Sequence, residues 1–212
     1  MADQANGLAA FIELIETIAD NKYVLGDHLV EIGVSGPTLE ATLSAIAMAQ
    51  GELGHARLLY NWASDLRGTG KTDITDQTGK AFASVVQVSD WIEMISALYA
   101  VNAGTDLVLK SMLEAGHPEV ASRIRKLLAE QKEHILYSRG WVTLLLQDAG
   151  AVPRKTQEAL NRAVPEVRAW LKKLEESDDL AGGGYIPAQA DFAARFDRIV
   201  AQETQRVLSD AD

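Results

Sequence analysis

Gly51-Glu52-Leu53-Gly54-His55-Ala56-Arg57 sets a carboxylate three residues ahead of an imidazole, inside a long run of helical periodicity. A second stretch, Ala129-Glu130-Gln131-Lys132-Glu133-His134, repeats the theme with Gln131 at i−3 and Glu130 at i−4 from the histidine. Residues three or four apart share one helix face, so each histidine and its upstream partner can reach the same point in space. When two such helices face one another in a bundle, a Glu-x-x-His pair from each, with single carboxylates from two further helices, encloses a pair of metal ions. The first motif is intact here. The second carries an amide where the pattern asks for a carboxylate.

Working outward, both motifs fall in the middle of long helices. Apolar residues recur at helical spacing from about Leu8 to Ile32, and Gly33-Val34-Ser35-Gly36-Pro37 breaks that pattern. Pro37 suits the first turn of a second helix running to roughly Leu66, and Arg67-Gly68-Thr69-Gly70-Lys71-Thr72 is a loop. Residues 73–87 read as a loop with a short helix. Ser89 or Asp90 caps a third helix that reaches about Gly116. Pro118 opens a fourth, ending near Gly150, and Pro153 a fifth, ending in the acidic run Glu175-Glu176-Ser177-Asp178-Asp179. Gly182-Gly183-Gly184 lacks the strand context and Lys-Ser/Thr tail of a phosphate loop. A last helix spans about Gln189 to Leu208. The expected architecture is all-α: a ferritin-like four-helix bundle with additional C-terminal helices, over residues 1–212 as one domain.

Composition narrows the function. The 212 residues are 47% hydrophobic and 24% charged, ordinary for a globular chain, with net charge −10 and no basic stripe. That argues against a nucleic-acid partner. Without cysteine, thiolate-ligated zinc and iron–sulfur clusters are excluded. No basic segment followed by an apolar one opens the chain, and no apolar run looks long enough to span a bilayer, so a cytoplasmic protein without a membrane partner is expected.

Asp27, between Leu25 and Leu29, is the best first-helix ligand candidate, because a carboxylate among apolar residues needs a partner. Glu31 is the alternative one turn on. Gly51 and Gly54 flank the Glu52–His55 pair; glycine inside a helix costs about 1 kcal/mol against alanine, which implies close packing or room for something bulky. On the third helix, Asn102 and Asp106 share a face, and Asn is the weaker ligand. On the fourth, Gln131 can coordinate only through its carbonyl oxygen, and Glu130 either reaches an ion or pairs with an arginine. The other reading of His134 is a buried imidazole hydrogen-bonded to a carboxylate of a neighbouring helix. An oxygen-rich set with two histidines suits iron or manganese better than copper or structural zinc. His28 and His117 look incidental, and Trp62, Trp91, Trp141 and Trp170 read as core or interface.

Taken together, Tyr23-Val24-Leu25-Gly26 with Leu29, Gly36-Pro37-Thr38-Leu39-Glu40, Leu53-Gly54-His55-Ala56-Arg57 with Asp65-Leu66 and Gly68, Lys132-Glu133-His134 and Ser138-Arg139-Gly140-Trp141 resemble the phenylacetate-catabolism A/C family of ferritin-like proteins. These belong to the phenylacetyl-CoA ring-epoxidase. The resemblance implies one of two roles. An A-type chain is catalytic, with a di-iron site and a CoA-thioester pocket; a C-type chain shares the fold, lacks a complete metal site and serves as structural partner. Ser138-Arg139-Gly140-Trp141 is similar to the C type, whereas Glu52 and His55 match the ligand pair of the A type. By the same resemblance Asp27 and His134 fall at A-type ligand positions, and Asn102 and Gln131 replace an Asp and a Glu. A single metal, a pair completed by Glu130 or Asp106, and a vestigial site all remain open.

Three functions compete: an oxygenase-like, iron-dependent enzyme served by a separate reductase; a non-catalytic subunit that docks a catalytic di-iron paralogue; and a stand-alone metal-handling protein. A homodimer, or a heteromer with a ferritin-like paralogue, is expected in any case.

Overall fold

The computed structural model describes residues 2–70 and 79–209, and the described residues are helical with no strand. The helices are α1 (Ala2–Glu31), α2 (Leu39–Arg67), α3 (Ala83–Val86), α4 (Trp91–Ala115), α5 (Pro118–Gln147), α6 (Val152–Glu175), α7 (Asp178–Gly182) and α8 (Phe192–Ser209). The expected loop with a short helix over 73–87 survives as α3, its first part lying outside the described residues.

Local chemistry explains the ends. Thr38, not Pro37, starts α2: its side chain accepts from Ala41 N at 3.1 Å. Asp90 does the same for α4, accepting from Glu93 N at 2.9 Å. Both helices stop at glycines in the left-handed region, Gly68 at φ 70° and Gly116 at φ 75°, where a side chain would be strained. α1 begins well before Leu8. A Cβ at Gly7 would lie 2.9 Å from Asp179 O, so the extra N-terminal turns of α1 lie against the backbone of α7. α6 stops at Glu175, short of the acidic run expected to end it; Asp178 and Asp179 open α7 instead, capped by Ser177, and of the glycines expected as a loop only Gly182 joins that helix.

α1, α2, α4 and α5 form the bundle. α4 is its spine, buried along most of its length and covered by α1, α5, α6 and α8. It is long and apolar enough to cross a membrane by composition, contrary to the sequence reading; 89% of that window is buried inside the fold, as in a core helix. α4 and α6 approach closely at Gly104, where a Cβ would fall 2.5 Å from Val167 Cγ1. On α1 the buried seam runs Ile15, Ile18, Lys22, Leu25, Leu29, at alternating spacings of three and four. One member of that apolar series is a lysine. Trp62 and Trp91 are buried, Trp141 and Trp170 half-buried against the core.

Candidate metal centre

Each helix of the bundle sends one polar side chain or more to its midpoint. Lys22 comes from α1, Glu52 and His55 from α2, Asn102 from α4, Gln131 and His134 from α5, and all six are buried. They occupy seam positions, where an apolar residue would otherwise sit, so burial follows from register alone. A buried polar group must find partners or destabilise the fold.

Every proton of the Lys22 ammonium has an acceptor. Nζ donates to Glu52 Oε2 at 2.8 Å, to Gln131 Oε1 at 2.9 Å and to Asn102 Oδ1 at 3.0 Å. Three N–H bonds and three acceptors are the full complement of a protonated amine. Both oxygens of Glu52 are engaged: beside Lys22 on Oε2, Oε1 accepts from His134 Nδ1 at 2.6 Å and from Asn102 Nδ2 at 2.8 Å. Gln131 Nε2 closes the ring by donating to Asn102 Oδ1 at 2.6 Å and to the Asn102 carbonyl at 3.2 Å. Burial pushes the Glu52 carboxyl up, but the Lys22 ammonium and the His134 hydrogen bond outweigh it and hold Glu52 well below the usual carboxylate range. One positive and one negative charge cancel, and the two amides link them without adding charge.

The imidazoles of His55 and His134 stack, 4.7 Å between centroids and 7° between planes. His134 has room because residue 51 is glycine: a Cβ there would sit 2.6 Å from His134 Nε2. Gly54, by contrast, faces open space. His55 Nε2 donates outward to Glu130 Oε2 at 2.8 Å, and Glu130 is half-exposed with Lys126 beside it. Burial, helped by the nearby Lys22 charge, lowers the His55 pKa to about 4 against the pull of Glu52 and Glu130. Its Nδ1 is buried without a partner among the described residues.

Three of the candidate ligands lie elsewhere. Asp27 is exposed. Five residues separate it from Lys22, a rotation of about 140° round the helix, so Lys22 and Asp27 cannot face the same interior. Glu31 is exposed as well. Asp106 is buried one turn beyond Asn102 and pairs with Lys110 at 2.6 Å, outside the ring around Lys22. His28 meets the Val85 carbonyl at 2.9 Å, and His117 stacks on Tyr185. Lys22 belongs to neither motif, yet it was legible as the one charged residue in the Ile15–Leu29 seam.

The donors do not suit a metal pair of the kind the motifs suggested. Among the described residues no group of three or more His, Asp or Glu side chains is arranged to hold an ion. The centre offers one carboxylate, and an ammonium already claims one of its oxygens together with both amide oxygens. A divalent ion would sit beside a fixed positive charge with no net negative charge to compensate it.

An all-helical bundle with mid-helix polar pairs facing inward is the ferritin-like class. The chain belongs to the phenylacetic acid catabolic protein family, whose model matches residues 2–210. It is similar to the C subunit of 1,2-phenylacetyl-CoA epoxidase from Escherichia coli (strain K12), 26% identical over 151 residues. That alignment takes in 68% of this chain and 61% of the relative, so the chain spans less than two thirds of that protein's length.

Proposed function

We propose that this chain is a non-catalytic, ferritin-like subunit that docks a catalytic di-iron paralogue in a phenylacetyl-CoA epoxidase-type assembly. One observation carries the reading: the Lys22 ammonium stands among the side chains that a catalytic paralogue would turn toward metal. The similarity to the C subunit of the bacterial epoxidase supports it. The CoA-thioester substrate, the iron and the contact with a reductase then belong to the partner.

The oxygenase reading keeps one feature in its favour, the bare His55 Nδ1. In that reading iron would take Glu52, His55 and His134 as its ligands and would supply oxygen activation. Lys22 would have to leave the centre first.

The test has two arms. The purified chain, grown iron-replete and handled without chelator, should carry no stoichiometric iron or manganese. Co-expression with a catalytic ferritin-like paralogue should give a heteromer that survives gel filtration. Iron near one or two per chain would favour the oxygenase, and a chain that ignores the paralogue would sink the subunit reading.

A further inference from the structure

We propose that the Lys22 ammonium is a built-in substitute for a metal ion, and that the charge at position 22 decides whether the centre can take a divalent cation. The inference deepens the non-catalytic reading and rests on it only in requiring that the wild-type chain bind no metal.

A metal ion in a helical bundle does two things apart from chemistry. It compensates buried negative charge, and it ties ligands from several helices to one point. Lys22 Nζ does both here. It neutralises Glu52, and its three hydrogen bonds join α1 to α2, α4 and α5 at a single atom. The two amides fit this role. With carboxylates in place of Asn102 and Gln131, the centre would hold three negative charges against one positive. As amides they accept from Lys22 and also donate, Asn102 to Glu52 and Gln131 to Asn102, so no polar atom of the ring depends on an ion. The lone carboxylate and the two neutral amides are therefore matched to a monovalent cation.

What survives of a ligand set is oriented and near at hand. Glu52 and His134 meet at 2.6 Å, and the two imidazoles are stacked beside them with one ring nitrogen unused. Replacing the ammonium by a carboxylate changes the charge of the centre from zero to minus two. That suits a divalent ion, with two carboxylates and two imidazoles as donors.

The experiment compares the full-length wild type with Lys22→Met and Lys22→Glu, using cobalt(II) as probe under reducing conditions. Thermal midpoint and bound cobalt per chain are both read. Wild type should take no cobalt. Lys22→Met, which strands Glu52 without a counter-charge, should lose about 10 °C in midpoint and also take none. Lys22→Glu should bind about one cobalt per chain and regain midpoint on adding it. Adding Glu52→Gln to Lys22→Met should recover part of the lost midpoint, a result that does not need the Glu variant to fold. Lys22→Met melting with the wild type would overturn the proposal. So would Lys22→Glu taking no more cobalt than Lys22→Met, or failing to fold with cobalt present when Lys22→Met folds without it. The subunit reading fails separately, through metal on the wild type or refusal of the paralogue; this one fails on the differences between Lys, Met and Glu at position 22.

Discussion

His55 and His134 stack in parallel at 4.7 Å, yet they turn to opposite sides of the molecule: His134 donates inward to Glu52, and His55 donates outward to Glu130. The pair thus joins a sealed polar layer to the solvent-facing surface. A second proton on His55 would bring positive charge toward Lys22, at a ring that burial already keeps neutral.

Acid should therefore start to lower stability at pH values above those at which surface carboxylates titrate. The His55 pKa is lowered in the fold, from an ordinary 6.5 to about 4. The unfolded chain binds more protons than the folded one between those values, so stability rises with pH across that window and falls as pH drops through it. Between neutral pH and pH 4 this linkage removes up to about 3 kcal/mol of stability through His55 alone. Urea midpoints measured from pH 7 to pH 4 should fall steadily in the wild type and much less in His55→Gln. Equal slopes in the two proteins would refute the assignment.

Glu52→Ala should be among the most damaging single changes in the chain. It leaves the Lys22 ammonium and the His134 Nδ1–H buried with lost acceptors. Removing one partner of a buried ion pair costs about 3–5 kcal/mol. Chemical denaturation should show this loss, and a change under about 1 kcal/mol, the scale of an exposed pair, would mean that the pair is solvated.

The two glycines of the first motif should respond oppositely to alanine. Gly51→Ala puts a methyl group 2.6 Å from His134 Nε2, and the ring has a hydrogen bond holding it in place. Overpacking of this kind costs about 1–3 kcal/mol. Gly54→Ala meets open space and should gain roughly 0.5–1 kcal/mol from helix propensity alone. Paired thermal melts decide it; the same sign for both would contradict the packing described.

Chelation should leave stability alone. If Lys22 fills the centre, a strong chelator shifts the wild-type melting midpoint by less than about 1 °C, because no bound ion is withdrawn. A clear drop on adding EDTA, reversed by iron(II), would restore the oxygenase reading.

The helical order and the interior placement of Glu52, His55, Gln131 and His134 were legible because periodicity and caps are local signals. Asp27 misled for a related reason. Its apolar neighbours in sequence, Leu25 and Leu29, lie on the seam, but Asp27 itself is exposed. Counting seam positions, not neighbours, selects Lys22. The tripod of hydrogen bonds could not have been read, since it depends on how four helices from distant parts of the chain meet. The reading of His134 as a buried imidazole on a neighbouring helix's carboxylate describes its contact with Glu52. α7 escaped notice because Asp178 and Asp179 read as the end of the preceding helix and the glycines from Gly182 onward argued for a loop, while Ser177 and the packing of Gly7 favoured a turn of helix.

The ring around Lys22 also fixes how the long helices are aligned end to end. Leucine and alanine seams hold helices together but tolerate sliding, because one apolar contact resembles the next. A shift of one helix by a single turn, about 5.4 Å, would carry Asn102 or Gln131 past Lys22 and break several directional bonds at once. The polar layer works as an index mark, so that only one axial alignment of α1, α2, α4 and α5 gives all three protons of Lys22 their acceptors.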